Sequence, residues 1–247
     1  MVVDVAVVTG GAGGLGQFIA RELADHGLRV VIADTDQDAA LELVGQLQAR
    51  GSRATFIHTD ASDPAAIEQL MAQVADLGLL RVLVNNAGGW LPGPQFLEAA
   101  DWRRSIDLNL VMPMLAAVLA VPLMSGSGGS IVNISSSGGL GPQPYGSPEY
   151  GAAKAGLIRF NTCVADWVDQ HRIRVNCVVP HWIDLERAKR QFEELSDEEK
   201  LASGGLVDPG VVAATVVTLA LDGRSAGRVV VVRAGREPYD IHPVDDR

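Results

Sequence analysis

Two cysteines in 247 residues rule out a disulfide framework. Cys163 and Cys177 have neither metal-ligand nor redox spacing, and on an expected helix and strand they read as small buried hydrophobes. Five scattered histidines form no metal-ligand pattern, so no metal is expected. Basic residues are outnumbered 20 to 30, the formal charge is −10 and no basic run occurs, which argues against nucleic acid and anionic membrane as partners. No apolar run is read as a membrane span, and the first strand begins almost at Met1, so no signal peptide is expected. These absences lead to the expectation of a soluble, reduced, cytoplasmic protein. Aromatic residues are also scarce, at 5%, whereas glycine, alanine and valine are plentiful and total hydrophobic content is 47%. That composition suits close packing of helices on a sheet and excludes intrinsic disorder.

Apolar runs alternate with helical periodicity along the whole chain. Strands are expected over residues 2–8, 28–33, 54–58, 81–85, 130–134, 173–179 and 229–232. Helices are expected over 17–26, 37–50, after Pro64, over 99–124 and from Tyr150 to about Gln170, with two further helical stretches after the sixth strand. Such alternation implies βαβ units and a parallel sheet covered on both faces, and the run Val229-Val230-Val231-Val232 agrees with burial on both sides. The expected fold is therefore α/β, a doubly wound parallel sheet of Rossmann type, with one domain spanning residues 1–247. The charged, glycine-ended segment 184–207 follows the sixth strand, where ligands of such sheets bind, and is expected to act as a lid.

Thr9-Gly10-Gly11-Ala12-Gly13-Gly14-Leu15-Gly16 follows the first strand and opens a helix. Glycines let backbone turn tightly and approach a pyrophosphate, and the helix start supplies free N–H groups and a positive dipole end. Gly10, Gly13, Gly14, Leu15 and Gly16 are thus expected to hold a dinucleotide. Asp34, ending the second strand, is placed to accept both ribose hydroxyls of NAD and to repel a 2′-phosphate; Thr35 follows it and the loop carries no base, so NAD(H) is the expected cofactor. Its other reading is a capping acid in Asp-Thr-Asp. Asp60, with Ala61 beside it, is a candidate for the adenine amino group or, alternatively, a local cap near Ser62 and Asp63.

Tyr150 and Lys154 lie four residues apart on an expected helix, and so on one face. An ammonium beside a phenol favours the phenolate and draws the tyrosine pKa below its usual value of about 10, as acid–base work near neutrality requires. Together with the glycine loop, Asn85-Asn86-Ala87-Gly88 and Ile134-Ser135-Ser136, this pair resembles the short-chain dehydrogenase/reductase family in its compact single-domain branch, over nearly the whole chain. The resemblance implies about seven strands, an NAD(P) cofactor and a homodimer or homotetramer built on 99–124 and 149–170. It also implies a catalytic set of Asn109, Ser136, Tyr150 and Lys154, with Ser137 as the alternative serine, and adds Asn86, Ala87, Gly88, Tyr150, Lys154, Pro180 and Ile183 to the cofactor site. In the family, the asparagine's backbone carbonyl holds a relay water. Pro113, four residues on, lacks the N–H that would bond that carbonyl, so it either frees this acceptor or merely kinks the helix.

The sequence departs from the family after the sixth strand. His181 stands where glycine is usual and Leu185 where a nicotinamide-binding threonine is usual. His181 and Trp182 are read either as substrate-pocket residues or as strand-end packing. The activity implied is interconversion of a secondary alcohol and a ketone. An acyl-thioester reductase and a non-catalytic NAD-binding regulator are the alternatives. Specificity is assigned to 89–98, 138–149 and 181–207.

Overall fold

The structure is a computed structural model that describes residues 3–90, 98–141 and 146–241. Its centre is one eight-stranded sheet in the order β3-β2-β1-β4-β5-β6-β7-β8. The strands are β1 (Asp4–Thr9), β2 (Arg29–Asp34), β3 (Ala54–His58), β4 (Leu79–Asn85), β5 (Gly129–Ile134), β6 (Ile173–Pro180), β7 (Val229–Val232) and β8 (Tyr239–Asp240). All neighbours pair in parallel except β7 and β8. The last strand is an addition to the seven expected. Only two residues long, it has no periodicity to read, and the ion pair of Arg228 with Asp240 (2.7 Å) braces it.

Helices cover both faces, as the doubly apolar strands require. On one face, α1 (Gly14–Asp25), α2 (Gln37–Ala49) and α10 (Pro209–Leu221) pack Ile19, Leu23, Leu47 and Val216 against Ala6, Val8, Val30, Ile32 and Val132. The alternate residues Val5, Val7, Val31, Leu83 and Ile131 meet α3 (Pro64–Leu77) and α5 (Met112–Met124) on the other. The period of two along each strand thus feeds two separate cores. Pro64 and Pro209 start their helices, with Asp63 and Asp208 accepting the first backbone N–H groups, a strong local signal.

Five expectations need correction. The stretch 99–124 is not one regular helix: α4 (Ala99–Ile106) passes through a π-helical turn (Asp107–Val111) into α5. The N–H of Met112 reaches back five residues to Asp107, while Pro113 has no N–H to give to Asn109. This same stretch is long and apolar enough to cross a membrane by length and composition, contrary to the sequence reading, although α5 buries Ala116, Ala117, Ala120 and Met124 in the core. The Tyr150 helix stops early, as α6 (Pro148–Cys163), and α7 (Trp167–His171) follows it. Three helices, not two, follow β6: α8 (Glu186–Glu193), α9 (Asp197–Ser203) and α10. Cys177 is buried as expected, but Cys163 is exposed at the end of α6.

The strand order changes direction between β1 and β4. The carboxyl ends of these strands and of β5 and β6 therefore open onto a common crevice.

Candidate active site

At this crevice lies a cleft of about 710 Å³ that runs from the glycine loop to α8. Backbone builds its first half. Gly10 has φ +61° and donates its N–H to Ala33 (2.7 Å), turning the chain sharply after β1. A Cβ on Gly16 would collide with the carbonyl of Gly10, so α1 can start this close to the turn only with glycine there. Thr9 and Asn86 stitch the loop to β4. The threonine hydroxyl accepts the N–H groups of Asn86 and Ala87 (3.0 Å each), and the Asn86 amide donates to the carbonyls of Thr9 (3.0 Å) and Gly10 (2.9 Å).

Gly13 caps α1 without any side-chain hydrogen bond, and a Cβ on it would meet only open space. The first-turn N–H groups of a twelve-residue helix therefore face the cleft without a side-chain partner, which suits a dinucleotide phosphate. Asp34 lines the same end. One carboxylate oxygen accepts the N–H of Ala12 (2.9 Å) and the other that of Asp36 (3.0 Å), so its orientation is set by the loop it serves. Gly14, Leu15, Ala87, Gly88, Pro180 and Ile183 also line the cleft. Asp60 and Ala61 do not. The carboxylate of Asp60 accepts both the N–H (2.9 Å) and the hydroxyl (2.7 Å) of Ser62, and these bonds hold its pKa below the usual value. Ala61 borders a small separate hollow with Thr9, Asn85 and Pro113.

The second half gathers the predicted catalytic residues. Tyr150 and Lys154 are both buried one turn apart on α6, and the ammonium lies 5.6 Å from the centre of the phenol ring. Lys154 donates to the carbonyl of Ile134 at the end of β5 (2.9 Å), and Ser135 donates back to the carbonyl of Lys154 (2.8 Å). Burial lowers the lysine pKa to about 8. Cys177 lies behind it on β6; burial pushes that thiol up to about 12, so it is a neutral neighbour at pH 7. Ser136 and Ser137 both line the cleft, with the Ser136 hydroxyl accepting the N–H of Gly138 (3.1 Å). Gly139 closes that turn against α6, where a Cβ would press on the backbone of Lys154 and Ala155. Beside Tyr150, buried Glu149 accepts the hydroxyl of Ser147.

The side chain of Asn109 is fully engaged. It accepts the N–H of Gly89 (2.9 Å) and donates to the carbonyls of Gly89 (2.9 Å) and Ser105 (3.0 Å). The Asn109 side chain thus fixes the strand-end loop. The π turn carries it into place, with Leu110 packed on Gly156 of α6, where a Cβ would press on the leucine at 3.0 Å.

His181, Trp182, Leu185, Glu186 and Ala188 wall the far side. The segment 184–207 is tied together near its two ends: Ile183 and Val207 form a parallel bridge, flanked by bonds from Val207 to Trp182 (2.7 Å) and from Asp184 to Val207 (2.8 Å). His181 is held below its ordinary pKa, chiefly by burial and secondly by Arg233. Of the expected specificity loops, 91–97 and 142–145 lie outside the described residues.

Sequence reasoning gave Thr9 no role of its own and took Gly89 and Trp90 only as part of the specificity segment 89–98. Thr9 is legible as the polar residue opening the glycine run. Trp90 is legible as an aromatic directly after Asn-Asn-Ala-Gly-Gly in a chain poor in aromatics. The π turn had no such signal beyond Pro113.

The short chain dehydrogenase family profile matches residues 4–196. Among characterised relatives, meso-2,3-butanediol dehydrogenase of Serratia marcescens is 33% identical, over 97% of this chain and 96% of its own. Among solved structures, a 7α-hydroxysteroid dehydrogenase complexed with NADH and 7-oxo glycochenodeoxycholic acid superposes with a TM-score of 0.85 at 27% identity, over 95% of this chain and 94% of its own. A metagenomic short-chain oxidoreductase in complex with NADP gives 0.77 at 33% identity, over 93% and 96%. With the glycine loop, the buried Tyr150–Lys154 pair and these matches in agreement, the chain belongs to the short-chain dehydrogenase family, oxidoreductases acting on CH–OH groups.

Proposed function

We propose that this protein is an NAD(H)-dependent dehydrogenase that interconverts a secondary alcohol and a ketone, with Tyr150 exchanging the hydroxyl proton. The observation that carries the reading is the buried Tyr150–Lys154 pair, turned into a cleft whose other end is a glycine loop and an oriented carboxylate. The nicotinamide cofactor, when bound, supplies or accepts the hydride at its C4. The Tyr150 oxygen takes the proton from the alcohol as the ketone forms and returns it in the reverse direction. Lys154, as its ammonium, favours the phenolate. Ser136 hydrogen-bonds the reacting oxygen and aligns it.

Support for NAD comes from charge. Asp34 and Asp36 flank the end where a 2′-phosphate would sit, and among the described lining residues Lys154 is the only lysine or arginine. The relatives include partners of both NADH and NADP, so the carboxylates carry this choice. Cytoplasmic location and a homodimer or homotetramer are part of the proposal. Exposed Trp102, Val111 and Val118 on α4, the π turn and α5 support the second.

The test compares NADH and NADPH binding by quenching of tryptophan fluorescence, since Trp90 and Trp182 line the cleft, and follows it with turnover of secondary alcohols. NADH-selective binding with turnover that Tyr150→Phe abolishes is the expected result. Selectivity for NADPH would refute the role of Asp34. Full turnover by Tyr150→Phe would refute the acid–base assignment.

A further inference from the structure

The chain has four tryptophans, three tyrosines and five phenylalanines, yet four of these rings form one unbroken series at the substrate end of the cleft. Trp90 meets Tyr150 edge-to-face at 5.9 Å, Trp90 meets Trp182 at 6.3 Å, and Trp182 meets Phe192 at 6.3 Å. They come from three distant places, the loop after β4, α6, and the lid after β6, so no local motif imposes the grouping. Trp90 and Trp182 are only partly buried and line the cleft. The other two tryptophans behave differently: Trp167 packs on Phe160 and the core, and Trp102 is exposed on α4. The two cleft indoles are therefore neither core filling nor incidental surface.

We propose that the substrate is a neutral secondary alcohol, or the matching ketone, whose carbinol carbon lies in or beside a carbon ring, alicyclic or aryl, seated against Trp90 and Trp182. The inference rests on the alcohol–ketone reading above, because Tyr150 is what anchors the hydroxyl. With Trp90 in edge contact with that phenol, whatever is bonded to the carbinol carbon abuts an indole. Rigid flat walls reward a rigid ring, which offers large apolar contact and loses few rotors on binding, whereas a flexible acyl chain loses many. Neutrality follows from the lining. Among its described residues the charged groups are the acids Asp34, Asp36 and Glu186 and the single base Lys154, which is already committed to Tyr150 and the Ile134 carbonyl. Among the described lining residues a substrate carboxylate or phosphate would find no other lysine or arginine; Arg233, which acts on His181, is not one of them. His181 is the polar group left on that wall, suited to a hydrogen bond from or to a second hydroxyl or carbonyl on the ring.

The experiment compares cyclohexanol with 2-hexanol, 1-phenylethanol with 2-octanol, and a 3-hydroxybutyryl thioester of coenzyme A, all with the cofactor the protein binds more tightly. The ring alcohols are expected to lead their acyclic partners in kcat/KM by about tenfold or more. Trp182→Ala and Trp90→Ala should each pull that ratio toward unity, whereas Trp182→Phe should keep most of it. Calorimetric binding of cyclohexanol and 2-hexanol to the Tyr150→Phe protein with cofactor bound gives a readout independent of turnover. Equal or reversed preference in both assays, or preference for the thioester, overturns the ring subsite while leaving a dehydrogenase. Ring-selective binding without oxidation of any alcohol retains the subsite and overturns the dehydrogenase reading.

Discussion

The two ends of the cleft are made of different material. At the cofactor end the walls are backbone and small residues: Gly10, Gly13 and Gly14, held by Thr9 and Asn86 and facing one oriented carboxylate. At the other end they are large side chains, Trp90 and Trp182, backed by Phe192 and brought from separate segments, the second tied by the bridge of Ile183 with Val207. A phosphate is recognised by N–H groups that every residue possesses, so what matters there is that nothing obstructs them. A hydrocarbon is recognised by surface, so what matters there is which side chains are supplied. Tyr150 and Lys154 stand at the junction and depend on both.

The largest effect should come from that junction. Tyr150→Phe is expected to lower kcat by roughly 10²–10⁴ while cofactor binding stays largely intact, measured by steady-state kinetics beside fluorescence titration. Loss of both together would mean that the two ends are not separable.

Next is Lys154, whose pKa in the folded protein, about 8, lies below the ordinary lysine value of 10.5. Between these values the unfolded chain binds the extra proton, so stability should rise as pH rises from about 8 to about 10.5. The buried charge costs up to about 3 kcal/mol below that window. Lys154→Met should therefore melt higher than the wild type at pH 7 and lose this pH dependence, read from urea unfolding across pH, even as activity disappears.

Asp34→Ala tests the cofactor end alone. It should weaken NADH binding by about 1.5–3 kcal/mol, the worth of hydrogen bonds to a charged group, and narrow the gap to NADPH. The selectivity among alcohols should not follow it. Gly16→Ala tests the same end through packing. Crowding the Gly10 carbonyl should cost about 1–3 kcal/mol and lower Tm by about 2–4 °C for each of these, with cofactor affinity falling in parallel. A neutral Gly16→Ala would mean that the loop yields easily.

Legibility followed the same division. The glycine loop, Asp34 and the Tyr150–Lys154 spacing each occupy a few consecutive residues, so period and motif reveal them. Asp60 shows the limit of such reading. An acid after β3 suits an adenine contact or a cap, and its bonds to Ser62 are the local ones. The π turn escaped because a single extra residue in a helical stretch leaves the apolar periodicity almost unchanged, with Pro113 as its one trace. The eighth strand escaped because two residues cannot show alternation.

The sequence by itself determined the doubly wound sheet, the family, the glycine loop after β1 and the one-turn spacing of Tyr150 and Lys154, since hydrophobic period and short-range spacing act along the chain and need no partner to be read. Tertiary structure alone decided that the side chain of Asn109 clamps Gly89, that Ile183 and Val207 bridge the ends of the segment after β6, and that Trp90, Tyr150, Trp182 and Phe192 form one series of ring contacts. These contacts join residues tens of positions apart, and only the stacking of β4, β5 and β6 side by side brings their loops within reach of one another.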